Sequence, residues 1–250
     1  MKENSQTIVA GGGDGTINAV ASQIIGTSST LGILPLGTLN HFAKDLHIPL
    51  DLEGAARNLI AGRAVSVDVG EVNGRIFLNN SSLGIYPRIV RQREQQQKIG
   101  RTKWIAFARA TISVLVHYSH FRVRLQVEGK ELLRRTPFVF IGNNRYEMEG
   151  LNIGERKRLD ADELCLVIAN RAGRIDLLRL VFLALLGRLR EARNFEVLVT
   201  KQISIETRGH LASISTDGEV IQINTPLKYV CRPGALRVIV PLKNMPEDSV

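Results

Sequence analysis

"TIVAGGGDGTINAVASQII", residues 7–25, sets the fold class of the whole chain. Its first four residues are short, β-branched and apolar, and read as a buried strand over 7–10. Ile17, Val20, Ala21, Ile24 and Ile25 then recur at helical spacing, so a helix is expected over 16–25, stopping before Gly26. Between them Gly11, Gly12, Gly13 and Gly15 surround Asp14. Glycine costs backbone entropy, so a cluster points to positive φ or to a close approach of the backbone. Free N–H groups at a helix N-terminus, with the positive end of its dipole, form an anion site that phosphate often fills. Asp14 repels phosphate unless a cation lies between them, and a phosphate with Mg²⁺ suits both. No lysine follows the glycines, which excludes a Walker loop, and Thr16 stands where the third glycine of a dinucleotide fingerprint belongs. A tight strand-to-helix turn without ligand is the plain alternative.

Outward from this unit the chain first continues as α/β. A strand is expected at 31–36, a turn at Gly37, and helices at 38–46 and 52–61, the second stopped by Gly62. From Val65 the pattern alternates, and Asn73-Gly74 gives a strong hairpin signal. Further alternating runs lie at 121–127, 137–141, 163–169, 196–206, 211–223 and 227–240, with helical interruptions at 103–117 and 175–190. The expected fold is an N-terminal α/β lobe followed by a mostly antiparallel β-sandwich with crossing helices. The division falls at 1–63, 64–241 and a tail at 242–250.

With 250 residues the chain can bury a large core, as one domain or two. Cys165 and Cys231 are too few for a disulfide framework, suggest a reducing compartment, and sit in apolar runs that make them core thiols. The N-terminus, MKENSQ, has no signal-peptide apolar region. The longest apolar run, 180–186, is far below the roughly 20 residues of a membrane span, so no transmembrane segment is expected. Net charge is +9, concentrated at 86–104 and 171–193, where arginines mix with apolar helical stripes. That mixture suits an anionic membrane face. A solvated face over a core-packed helix remains the alternative for 171–193. Nucleic acid is not expected, since no binding motif accompanies the charge and aromatic residues are 5 %.

"GGDGTIN" (12–18), "LGTLNHFAKDLHIP" (36–49), "VDVGEVNGRIFLNNSSLGIYP" (67–87) and "TDGE" (216–219) occur in the order found in diacylglycerol-kinase-type lipid kinases, and the chain resembles that family from 7 to 241. The resemblance implies a nucleotide-binding α/β domain, a β-sandwich, and an active site in the cleft between them. It places Gly12, Gly13, Asp14, Gly15 and Thr16 along the ATP phosphates, with Asn18 on the first helical turn. Gly37, Thr38 and Asn40, with Phe42 and Ala43, match the second nucleotide motif, in which His41 stands where the family has aspartate. Asp217, Gly218 and Glu219 match the acid/base loop, giving Glu219, Asp217 and Asp14 as catalytic carboxylates, with Glu219 the base. Without the family, "TDGE" reads simply as a hairpin turn. Both turn carboxylates are expected at the surface, so that amide substitution spares the fold. A branched side chain at Gly13 is expected to fill phosphate space.

The family's metal stretch in the sandwich corresponds to "RLDADELCL" (158–166), which offers Asp160, Asp162 and Glu163 as oxygen ligands for Mg²⁺. With Arg156, Lys157 and Arg158 alongside, a surface salt-bridge cluster is the alternative there. The family also places a strand–helix–strand–helix unit ahead of the glycine loop, where this chain has MKENSQ, so the α/β lobe is expected to be incomplete. The implied function is an ATP- and Mg²⁺-dependent lipid kinase phosphorylating a diacylglycerol-like hydroxyl. Its setting would be the cytoplasm or the inner membrane face, with a homodimer left open. A non-catalytic lipid- or nucleotide-binding remnant is the rival, and a kinase for a soluble hydroxylated metabolite a third reading.

Overall fold

The computed structural model describes residues 6–84, 120–146, 156–169 and 195–242. The chain opens with β1 (Thr7–Gly12), α1 (Asp14–Ile24), β2 (Thr30–Pro35), α2 (His41–Asp45) and α3 (Leu52–Ala61). There follow β3 (Arg63–Val72), β4 (Arg75–Phe77), β5 (Asn80–Gly84), β6 (Phe121–Val127), β7 (Lys130–Thr136), β8 (Phe138–Asn143) and β9 (Leu164–Ala169). The last strands are β10 (Phe195–Thr200), β11 (Gln202–Glu206), β12 (Leu211–Thr216), β13 (Glu219–Asn224) and β14 (Leu227–Val240). The expected helices at 103–117 and 175–190, and the basic stretches 86–104 and 171–193, lie outside the described residues.

Local chemistry accounts for the elements. α1 turns Ile17, Ala21 and Ile24 inward at helical spacing. Asp51 caps α3 by accepting the Gly54 N–H at 2.7 Å. In β6 the buried Val123 and Leu125 alternate with exposed Arg122, Arg124 and Gln126. Three hairpins turn on two residues of positive φ: Asn73-Gly74 (47° and 85°), Glu128-Gly129 (49° and 77°) and Asp217-Gly218 (47° and 85°). That pair of signs is what a type I′ turn requires.

Two open sheets result. In the larger, β1 pairs β2 in parallel, β2 pairs the end of β14 in parallel, and β11, β6 and β7 continue antiparallel from the start of β14. β3 runs antiparallel along the other edge of β14, with β4 outside it. The smaller sheet, β10-β9-β8-β5-β12-β13, is antiparallel throughout. The α/β lobe and antiparallel sandwich are therefore present, and one continuous sheet runs through both. The buried side chains form two clusters, one under the helices around Ile17, Leu31, Phe42 and Val238, the other between the sheets around Leu125, Ile141, Leu166 and Tyr229.

Several elements differ in extent from the sequence expectation. β7, "KELLRRT", was not among the expected strands because its charged residues mask the alternation. The run 196–206 divides at Lys201 into β10 and β11, which belong to different sheets, and 211–223 divides at the Asp217-Gly218 turn. Among the described residues no helix is long and apolar enough to cross a membrane.

Candidate active site

The site begins where β1 ends. Gly13 caps α1 with no side-chain hydrogen bond, and Ile17 N–H is the first to reach back, bonding Gly13 O at 3.0 Å. The N–H groups of Asp14, Gly15 and Thr16 thus lack helical acceptors and point out of the helix end. Behind them the turn after β2 approaches closely. A Cβ on Gly37 would lie 2.3 Å from Gly13 Cα, and one on Gly13 would lie 3.3 Å from Gly37 Cα. A Cβ at 13 therefore presses on the neighbouring loop, which must give by a few tenths of an ångström to admit it. Gly15 is different, for nothing lies within 4 Å of its Cβ position.

Asn40 holds the second loop in shape. It adopts left-handed φ (50°), accepts the Gly37 N–H at 3.0 Å, and donates to Gly37 O at 2.8 Å and Pro35 O at 3.2 Å. Thr38 and His41 are exposed beside it. Asp14 joins the two loops: its carboxylate accepts the N–H groups of His41 (3.1 Å) and Phe42 (3.0 Å), the opening residues of α2. Gly12, Gly13, Asp14, Gly37 and Asn40 thus form one cluster on one side of the α1 N-terminus.

On its other side lies a cleft of about 600 Å³ lined by Gly15, Asn18, Arg75, Asp217 and Glu219, among others. It brings the glycine loop and the Asp217-Gly218-Glu219 turn together. The two turn carboxylates differ in setting. Asp217 accepts N–H bonds from Leu78 (2.7 Å), Asn79 (2.9 Å) and Asn80 (3.0 Å) and one from the Asn18 amide (2.8 Å). This corrects the surface placement expected for it. Burial pushes its carboxyl up to about 6, against the opposing pull of those backbone N–H groups and of the Arg156 charge. Glu219 stays exposed and pairs with the Arg75 guanidinium.

Arg156 closes the site from behind, and its role was not visible in the sequence. Its side chain is buried, 2.6 Å from Asp45, and donates to Leu78 O (2.7 Å), Asn143 O (2.9 Å) and Asn79 Oδ1 (2.9 Å). The Tyr146 ring lies beneath it at 5.4 Å, and burial raises that phenol to about 12. Residues 78–80 are thus clamped by Asp217 on one side and Arg156 on the other. The basic run 156–158 looks solvated in sequence, and nothing in its pattern marks the first arginine as buried. Arg75 had a signal, because the Asn73-Gly74 turn places it at a strand start.

Asp160 and Asp162 stand elsewhere. Arg158 bonds Asp160 at 3.0 Å, and Lys201 bonds Asp162, whose own N–H reaches the buried Asp68 at 2.7 Å. Asp68 also accepts the N–H of Gly234 at 2.9 Å, inside the bulge of β14. Among the described residues no group of three or more His, Cys, Asp or Glu side chains is gathered to hold a metal. Cys165 and Cys231 are free and buried, as expected, and burial raises both thiols.

A glycine-loop helix facing a carboxylate turn across a cleft, above a sandwich joined to an α/β lobe, defines a diacylglycerol-kinase-like fold. A putative diacylglycerol kinase from Bacillus anthracis str. Sterne superposes with a TM-score of 0.73 at 22% identity, over 95% of this chain and 78% of that one. Yeast NADH kinase complexed with NADH gives 0.57 at 12% identity, over 97% and 63%. Residues 1–72 match the diacylglycerol kinase catalytic domain, and residues 83–240 match the YegS C-terminal NAD kinase beta sandwich-like domain. The second match covers more than half the chain, which belongs to the YegS-like family of diacylglycerol-kinase-type lipid kinases. A probable lipid kinase YegS-like from Klebsiella pneumoniae (strain 342) is 43% identical over 101 residues, which are 39% of this chain and 34% of that protein. The counterpart from Yersinia enterocolitica is 44% identical over 98 residues, 37% and 33% respectively. The matched stretch thus spans about a third of these curated relatives.

Proposed function

We propose that this protein is an ATP-dependent lipid kinase that moves the γ-phosphoryl group to the hydroxyl of a diacylglycerol-like acceptor. The observation that supports this best is the shared cleft, where the open end of α1 at Gly15 and Asn18 faces Glu219. The first-turn N–H groups of α1 would hold phosphate oxygens. Gly15 would leave room for them, with Gly12, Gly13 and Thr16 forming the turn behind it, while Gly37, Thr38 and Asn40 would shape the adjoining wall. As the acceptor oxygen bonds phosphorus and the bond to the departing ADP oxygen breaks, Glu219 would take the acceptor's proton. Asp217 would position that turn rather than react, since four hydrogen bonds occupy its carboxylate. Mg²⁺ is commonly held by one or two carboxylates plus substrate phosphates, and it would neutralise phosphate charge, with Asp14 the carboxylate beside the loop. Asp160 and Asp162, each held by a cation of the chain, are not needed for this. The net charge of +9 supports meeting the acceptor at an anionic membrane surface.

The test is transfer of phosphate from ATP to diacylglycerol in mixed micelles, comparing the full chain with Glu219→Gln. Turnover should fall by about 10²–10⁴, the usual worth of a general base, with the unfolding midpoint unchanged. Full turnover in the variant would remove Glu219 from the chemistry. The usual acidic residue of the second motif is His41 here, which favours a competing reading, a protein that binds nucleotide or lipid without transfer. Binding of both with no phospholipid product would favour it.

A further inference from the structure

Arg75 opens β4 immediately after the Asn73-Gly74 turn, and its guanidinium bonds Glu219 across the cleft. Among the described residues lining that cleft it is the one cation, facing two carboxylates. Asp217 is fully engaged by other donors, so the charge of Arg75 rests on Glu219. The pair is open to water, with side-chain exposures of 43% for Arg75 and 67% for Glu219. Exposed ion pairs are weak and readily exchanged. A guanidinium grips phosphate with parallel charge-assisted hydrogen bonds, a stronger arrangement than a single exposed carboxylate contact.

We propose that Arg75 is the phosphate-binding cation of the cleft, parked on Glu219 until the polyphosphate end of a nucleotide takes it. This rests on the kinase reading above and adds to it an order of events. Docking of the phosphate removes the counter-ion from Glu219 and leaves that carboxylate free to accept the acceptor's proton. In the unliganded protein the same contact keeps the base occupied. The phosphate donor thereby readies the site for the lipid.

Calorimetric titration of the full chain with ATP, ADP and AMP tests this without recourse to activity. Arg75→Ala should weaken ATP about tenfold or more, the worth of one charged hydrogen-bonding group, and leave AMP nearly unchanged. Arg75→Lys should recover part of the loss. Glu219→Gln should tighten ATP severalfold in the parent, because Arg75 need no longer be drawn from a partner, and that gain should vanish in the Arg75→Ala background. Equal ATP affinity in parent and Arg75→Ala would overturn the proposal. So would a Glu219→Gln gain of the same size in both backgrounds, which would reflect plain repulsion between carboxylate and phosphate. A parent chain that bound none of the three nucleotides would instead overturn the kinase reading, and this inference with it.

Discussion

At the scale of single residues, Asp217 and Glu219 are two positions apart yet have opposite environments. Asp217 N–H bonds Asn80 O at 2.9 Å while its carboxylate takes the three N–H groups of the same strip, so it is the anchor of the loop. Asp217→Asn turns an amide group toward donors that have nowhere else to go. Stability should drop by about 1–3 kcal/mol, the cost of stranding a buried donor. Urea unfolding of the two proteins measures it. The same residue gives a pH signature. Its carboxyl rises from 3.8 to about 6, so the fold holds this proton more tightly than the unfolded chain does. That contribution is complete below pH 4 and fades as pH rises through about 6. The parent should therefore gain stability over Asp217→Asn between pH 7 and pH 5, and a gap that narrowed would mean the four donors outweigh burial. Arg156 is the other anchor. Replacing it by Met strands Asp45 and two carbonyls, with an expected loss of about 3–5 kcal/mol. Lysine should restore little, because three donors on a flexible stem cannot match the fork. Denaturation midpoints of the two variants decide it.

At the scale of elements, the glycine turn and its helix were legible because periodicity and glycine spacing are local properties. The α1 boundary, Asp14–Ile24, falls within two residues of the expected one, and the Asn73-Gly74 hairpin stands where its dipeptide put it. What was not legible depends on distant partners. Asp14 was read as facing a ligand, and its present contacts are the N–H groups of α2, twenty-seven and twenty-eight positions away. The burial of Arg156 depends on Asp45, which lies 111 positions from it. The division of 196–206 depends on which sheet each half joins. The glycines also separate by element. Gly37→Ala drives a Cβ to 2.3 Å from Gly13 Cα, backbone that cannot rotate away, while Gly15→Ala enters open space. Thermal unfolding should show Gly37→Ala strongly destabilised and Gly15→Ala within about 1 kcal/mol of the parent, the range of ordinary exposed helical changes. In ATP titration the order should change, since Gly15 faces the cleft. Reversed stabilities would break the assignment of Gly37 to loop packing.

At the scale of the whole molecule, β14 is a structural link between the two cores. Its first half pairs β11 and its end pairs β2, while β3 follows it along the other edge past the bulge held by Asp68. Leu227 and Tyr229 lie in the sandwich core, and Leu236 and Val238 lie in the core under the helices. One strand thus contributes to both, and the Asn18–Asp217 hydrogen bond ties the lobes again at the cleft. That hydrogen bond holds the α1 end beside the turn that carries Glu219, and fixed relation of this kind is what phosphoryl transfer requires more than any single group. The consequence is cooperative unfolding. Leu31→Ala, in the helix-covered core, and Leu125→Ala, between the sheets, should each lower stability by about 2–5 kcal/mol. Each should also move one common transition rather than split it. Fluorescence probes placed separately in each core during urea unfolding provide the measurement. Coincident curves in both variants are expected. If Leu31→Ala melted the α/β lobe while the sandwich probe kept its parental midpoint, the lobes would be independent units, and the fixed cleft on which the kinase reading rests would lose its support.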